Sequence, residues 1–250
     1  MSRRVLITGS ATGLGLGLAR AFLAAGDRVF LTDISVKVTS AAEDLGVPSL
    51  PLDLNAKGAA RTLFAAAEQA LGGVDILVNN AVVRKMALTT ALEDDDWDRA
   101  LEVNLSAAFR LIRSALPAMQ ARGWGRIINM ASVYSLIALP GRIDYVTTKH
   151  AMVGLTRTVA LELAETAVTC NAICPGLMAT ESALSRIEAL ASTEGISRGE
   201  AERVFLSTRQ PGGKFIPMET VTALALFLCG PASEGINGAA IPVDNGWSFA

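Results

Sequence analysis

Val5-Leu6-Ile7-Thr8-Gly9-Ser10-Ala11-Thr12-Gly13-Leu14-Gly15 is the stretch that decides the fold of this chain. Its apolar start reads as a short buried strand. Residues 14–25 are rich in Ala and Leu and read as a helix, with Gly26 placed to end it. Between strand and helix lies a glycine turn of spacing G-x-x-x-G-x-G. Glycine permits positive φ and lets the backbone approach a ligand closely. The free N–H groups at a helix start, together with the helix dipole, favour a phosphate. Strand, glycine turn and helix in that order predict a dinucleotide-binding βα unit, although the spacing departs from the commoner G-x-G-x-x-G.

The same alternation continues outward from this unit. Apolar strand patterns recur at residues 28–32, 74–78, 126–130, 168–173 and 239–243. Helical patterns fall at 56–71, around 97–122, at 145–164 and at 220–229. Short continuous apolar strands between amphipathic helices mean βαβ units around a parallel sheet. The expected fold class is α/β: a doubly wound, Rossmann-type parallel sheet with helices on both faces, in one domain over residues 1–250. Residues 180–217 break the rhythm, being polar, helix-prone and punctuated by glycines. Such an excursion near the C-terminal strand ends reads as a substrate lid or as an oligomer-contact segment.

Composition excludes several classes. Hydrophobic residues are 51% and charged residues 18% of the 250, so a large core is available and disorder is not expected. Net charge is −2, without a block of like charges, which argues against a nucleic-acid or anionic-membrane surface. Neither a signal peptide nor a membrane span is expected. Cys170, Cys174 and Cys229 lie in apolar runs without metal-ligand spacing, as buried thiols in a reducing compartment. No metal is expected, and the expected location is the cytoplasm.

Asp33 follows the second strand, twenty residues after Gly13. An acid at that point of a dinucleotide fold accepts hydrogen bonds from the adenosine ribose hydroxyls. It would also repel the 2′-phosphate of NADP, and no arginine follows it directly. NAD is therefore the expected cofactor.

Tyr145 and Lys149 are four apart, a spacing that stacks both side chains on one helical face. A fixed ammonium beside a phenol favours the phenolate, which suits general acid–base work. For the pair alone an ordinary surface helix is the better reading, because two residue types at one spacing recur by chance. Ser132, thirteen residues upstream of Tyr145, adds a hydroxyl.

Taken with the glycine loop, these residues resemble the short-chain dehydrogenase/reductase family over essentially the full chain. Thr8 to Gly15, with Gly9, Thr12, Gly13, Leu14 and Gly15, is similar to the family's cofactor loop. Asp53-Leu54 matches the acid that holds the adenine amine. Asn79-Asn80-Ala81 matches a motif that stabilises the sheet and lies along the cofactor. Asn104, Ser132, Tyr145 and Lys149 match the catalytic tetrad, and Pro175-Gly176 with Thr180 match the segment that grips the nicotinamide. The resemblance implies that Tyr145 exchanges the hydroxyl proton and that Ser132 orients the same oxygen. It also implies that Lys149 binds the nicotinamide ribose, that Asn104 holds a relaying water, and that the protein is a homotetramer. Val82 stands where the family has glycine, and Asn245 replaces the first glycine of Val-Asp-Gly-Gly.

The second half most resembles 3-hydroxybutyrate dehydrogenases, in Thr169 to Gly176, Thr148-Lys149-His150, Ala223 to Cys229 and Val243 to Trp247. Where those enzymes bind a small carboxylate, this chain carries Arg84, Tyr134, Arg142 and Arg186. Arg142 and Arg186 also correspond to sulfonate-binding arginines in a related dehydrogenase of a hydroxypropyl thioether. Arginine forks suit carboxylate, sulfonate or phosphate oxygens. The expected activity is therefore NAD-dependent hydride transfer with a small alcohol or ketone carrying a carboxylate, a sulfonate or a sugar acid. A 3-hydroxybutyrate dehydrogenase proper and a non-catalytic dinucleotide sensor are the alternatives. His150 and Trp124 read as structural, as does Trp247, which also suits an oligomer contact.

Overall fold

Apolar runs too short for helices form the strands of one sheet. The computed structural model describes residues 2–249. Its strands are β1 (Arg4–Thr8), β2 (Arg28–Asp33), β3 (Ser49–Pro51), β4 (Ile76–Asn79), β5 (Gly125–Met130), β6 (Val168–Pro175) and β7 (Ala240–Val243). They pair in the order β3-β2-β1-β4-β5-β6-β7, all parallel. The helices are α1 (Gly13–Ala24), α2 (Lys37–Leu45), α3 (Ala59–Leu71), α4 (Asp94–Leu101), α5 (Ala107–Ala121), α6 (Ile143–Glu162), α7 (Glu181–Glu194), α8 (Arg198–Ser207) and α9 (Met218–Leu228).

Side chains alternate along each strand, so every strand feeds two cores. Leu6, Leu77 and Ile127 pack with Leu63 of α3 and Leu111 of α5 on one face. Val5, Ile7, Val78 and Ile128 pack with Leu18 of α1 and Val221 of α9 on the other. Helices on both faces bury the central strands, which is why these are largely apolar, while the edge strands β3 and β7 stay partly exposed. The strand order reverses between β1 and β4, and a doubly wound sheet opens its ligand crevice at that switch point.

The fold agrees with the expected class and differs in detail. The long helical pattern around 97–122 divides into α4 and α5 at one π-helical turn, Glu102–Ser106. Extra residues in a helical turn rotate one side chain out of the regular helical face, a device frequent at functional sites. Here that side chain is Asn104, 2% exposed. The strand β3 and the helix α2 were not anticipated. The former is three residues long and the latter is polar. Asn245 takes φ 52°, a conformation that asparagine tolerates better than most residues. No helix among the described residues is long and apolar enough to cross a membrane.

Candidate active site

A cleft of about 580 Å³ runs over the C-terminal ends of the central strands. The glycine loop forms one end. A Cβ on Gly15 would lie 2.1 Å from the Gly9 carbonyl oxygen, so only glycine lets the helix start this close to the loop. Gly13, at φ +55°, would project a Cβ into open space. The first turn of α1 carries no acid, and its N-cap, Thr12, makes no side-chain hydrogen bond. The cradle thus presents backbone and glycine to the cleft, with room for a phosphate group.

Every residue that the sequence assigns to a cofactor lines this cleft. These are Gly9, Thr12, Gly13, Leu14, Gly15, Asp33, Asp53, Leu54, Asn80, Ala81, Tyr145, Lys149, Pro175, Gly176 and Thr180. Asp33 is fixed by two backbone N–H donors, Ala11 at 3.1 Å and Ser35 at 2.9 Å. Asp53 accepts from the Asn55 N–H and pairs with Arg99 at 3.2 Å. Thr180 caps α7, accepting from the Ala183 N–H at 3.3 Å. Val82, 40% exposed, also lines the cleft.

At the middle of the cleft stand Ser132, Tyr145 and Lys149. Ser132 ends the loop after β5 and caps the single 3-10 turn Val133–Ser135, its Oγ accepting from the Tyr134 N–H at 3.2 Å. Tyr145 lies in the first turn of α6, and Lys149 one turn on. The Lys149 Nζ is 5.6 Å from the Tyr145 ring centroid. Lys149 is only 3% exposed, so the surface-helix alternative does not hold. Its ammonium makes one hydrogen bond among the described residues, to the Met130 carbonyl at 2.5 Å. Burial pushes its pKa down to about 8; nearby Cys174 opposes that shift and Arg84 adds to it. A buried ammonium with two unused donors beside a cleft is a site awaiting hydroxyl or carbonyl oxygens.

Asn104 lies outside the cleft and beneath it. Its Oδ1 accepts from the Val83 N–H at 2.8 Å, and its Nδ2 donates to the Val83 carbonyl at 2.9 Å and to Thr148 Oγ1 at 3.1 Å. Both amide protons and one oxygen lone pair are therefore spent on holding the loop after β4 against α6. Asn104 and Lys149 also border a cavity of about 10 Å³, room for one water.

The far end carries the substrate candidates. Arg84, Tyr134, Arg142 and Arg186 all line it, joined by Arg209 and Trp247. The Arg84 guanidinium sits 5.8 Å from the Tyr145 ring centroid and reaches Ser182 Oγ at 3.2 Å. Asp144 fixes this loop by accepting from the Lys85 N–H at 2.7 Å. Tyr134 stacks edge-on against both Tyr145 and Trp247, at 6.1 and 5.4 Å. Burial pushes the Tyr134 pKa up, while Arg209, Arg142 and Arg186 pull it down. Arg142 is 7% exposed, and desolvation followed by the charge of Arg84 lowers its pKa. Arg186 is lowered by desolvation and by Arg142 and Arg209.

Sequence reasoning missed Arg209 and took Trp247 for packing. Arg209 stands four residues after Phe205, the spacing of a helical pair, and its guanidinium lies 4.6 Å from that ring. That was the available signal. His150 is exposed, and its Nδ1 lies 3.0 Å from the Val146 carbonyl oxygen, away from the cleft chemistry. Trp124 packs on the second core. The three cysteines are buried free thiols.

Comparison with known proteins gives a consistent picture. Residues 9–248 match a family model described as Enoyl-(Acyl carrier protein) reductase. A D-beta-hydroxybutyrate dehydrogenase of Rhizobium meliloti (strain 1021) is 38% identical over 256 residues, covering 99% of each chain. L-sorbose reductase from Gluconobacter frateurii, solved with NADPH and L-sorbose, has a TM-score of 0.91 at 29% identity, covering 100% of this chain and 98% of its own. 4-Hydroxyisoleucine dehydrogenase complexed with NADH gives 0.88 at 26% identity, covering 100% of both chains.

The burial of Lys149 has a stability signature. Its folded pKa, about 8, lies below the ordinary lysine value of 10.5, so the unfolded chain binds more protons between these limits. The contribution is fully present above about pH 10.5 and is lost as pH falls through about 8. Lys149→Met should therefore stabilise the cofactor-free protein at pH 7 by up to about 3 kcal/mol, and by progressively less toward pH 10. Urea unfolding of both proteins across that range checks this; a gap that is constant with pH contradicts it.

Proposed function

The chain belongs to the short-chain dehydrogenase/reductase family, and we propose that it is an NAD-dependent oxidoreductase acting on a small secondary alcohol, or its ketone, that carries an anionic group. One observation carries this reading: Ser132, Tyr145 and Lys149 stand in a single cleft between a glycine-lined phosphate cradle and a cluster of arginines. The D-beta-hydroxybutyrate dehydrogenase relative supports a small hydroxy acid as substrate. The arginines favour a substrate more strongly anionic than one read by neutral side chains.

Nicotinamide, when bound, supplies the hydride acceptor or donor, the part of the chemistry that protein side chains lack. This chain's residues do the rest. The Ser132 hydroxyl orients the substrate oxygen. The Tyr145 phenol receives or returns that oxygen's proton. Lys149 offers its unused N–H donors to ribose hydroxyls and lies 5.6 Å from the Tyr145 ring centroid, with Arg84 at 5.8 Å. Asn104 acts as a positioning residue for the loop after β4, and the cavity between it and Lys149 suits a water that carries the proton outward. Asp33, held by two N–H donors, receives the adenosine ribose hydroxyls and favours NAD over NADP. Residues 180–217 form the substrate lid, with its own small core around Ile187 and Phe205. Family resemblance supports a homotetramer, and buried free thiols suit the cytoplasm.

Tyr145→Phe should reduce turnover by roughly 10²–10⁴-fold while leaving NAD affinity within about threefold. Retained turnover would remove the proton role from Tyr145. Asp33→Asn should raise kcat/KM with NADP and lower it with NAD, because it removes the charge that repels the 2′-phosphate. Unchanged cofactor preference, measured by initial rates with both dinucleotides, contradicts that role. Arg142→Met should raise KM for an acidic alcohol at least about tenfold, with little change for a neutral one. Equal effects on both sink the anion site.

A further inference from the structure

The arginines at the substrate end belong to two bodies. Arg142 opens α6 and Arg84 lies on the loop after β4, both on the scaffold that carries Tyr145. Arg186 on α7 and Arg209 beyond α8 belong to the excursion with its own core. That core supplies a template for them. The Phe205 ring, 5% exposed, has the Arg186 guanidinium 4.9 Å from its centroid and the Arg209 guanidinium at 4.6 Å.

None of the four forms a salt bridge among the described residues. Arg142 is buried, and its guanidinium makes no hydrogen bond among them. The acids near this end are Glu181, which lines the cleft, and Asp144, which accepts from the Lys85 N–H and whose charge offsets part of the lowering at Arg142 without forming an ion pair with it. Buried charge without a partner is costly, and a bound counter-charge relieves the cost. Desolvation and then the charge of Arg84 lower the proton affinity of Arg142, and desolvation and then the charges of Arg142, Arg209 and Arg84 lower that of Arg186. A single negative charge engages one pair of forks and leaves the other pair unmatched.

We propose that the substrate carries two negative charges that bridge the scaffold pair, Arg84 and Arg142, to the lid pair, Arg186 and Arg209. This deepens the anionic-alcohol reading and rests on it. A hydroxy dicarboxylate meets the requirement with two groups, and a phosphorylated alcohol with one doubly charged group. Either supplies enough oxygens for bidentate pairing on both bodies.

Four alcohols with comparable secondary carbinols test the proposal by NAD reduction: 3-hydroxyglutarate, glycerol 1-phosphate, 3-hydroxybutyrate and 2-butanol. At least one dianion should exceed 3-hydroxybutyrate in kcat/KM by at least about tenfold. The winner distinguishes dicarboxylate from phosphate. Arg186→Met and Arg209→Gln should each lower kcat/KM for the preferred dianion at least about tenfold more than for 3-hydroxybutyrate, and equal losses for both overturn the proposal. Calorimetric binding of glutarate, inorganic phosphate and butyrate to the cofactor-free protein gives an independent ranking, with a dianion expected first. If 3-hydroxybutyrate matches both dianions yet exceeds 2-butanol, the two-charge proposal falls and the anionic reading stands. If 2-butanol is best, both fall. If none of the four turns over, the binding ranking decides, and butyrate binding as tightly as both dianions overturns the proposal.

Discussion

The clasp between Asn80 and the end of β1 is the interaction on which the cleft depends. The Asn80 Nδ2 donates to the Thr8 and Gly9 carbonyls at 2.9 and 2.8 Å. In return, Thr8 Oγ1 accepts from the Asn80 and Ala81 N–H groups at 2.9 and 3.0 Å. These bonds tie β1 to β4 where the strand order reverses, so the two ends cannot close over the crevice or splay apart. They also satisfy backbone groups that a strand end and a glycine turn would otherwise leave buried and unpaired. The clasp leads on to the reacting centre. Beyond Ala81 the loop is gripped at Val83 by Asn104 and at Lys85 by Asp144, which brings Arg84 over the Tyr145 ring.

Charge is distributed along the cleft with opposite signs at its two ends. Asp33 and Asp53 stand toward the glycine loop, and Arg84, Arg142, Arg186 and Arg209 crowd the other end. Lys149 at the middle and Arg142 at the arginine end are buried cations with few protein partners. A sequence selected for stability alone would replace both with apolar residues, since an unpaired buried charge opposes folding. Violations of local physical rules concentrate where ligands restore the balance. Both residues therefore read as contributions to binding and not to the fold.

Much of this was legible in the sequence wherever local chemistry carries the information. The glycine loop, the apolar strands and the tyrosine–lysine spacing each reflect an interaction within a few residues, and the residues that the sequence assigns to a cofactor line one cleft. Features created by tertiary contacts were less visible. The strand β3 is too short for a periodic pattern, and its pairing to β2 supplies what its sequence lacks. The π turn at Glu102–Ser106 has no residue signature; it exists because Asn104 faces inward to the Val83 backbone. Trp247 read as packing because its edge-on contact with Tyr134 joins segments more than a hundred residues apart.

The placement of arginines on two bodies has a consequence for motion. Like charges that face each other across a hinge oppose closure, and the opposition is stronger where solvent is scarce. Arg142 is already desolvated, so bringing Arg186 and Arg209 nearer to it adds repulsion. An anion between the pairs reverses the sign of the interaction, since each body is then attracted to the ligand. A ligand shifts a conformational equilibrium only by the difference in its affinity for the two states. Here that difference grows with each negative charge on the ligand. Under the two-charge proposal, the arginines that select the ligand also set how strongly residues 180–217 are drawn toward the scaffold, and a neutral alcohol gains nothing from that attraction.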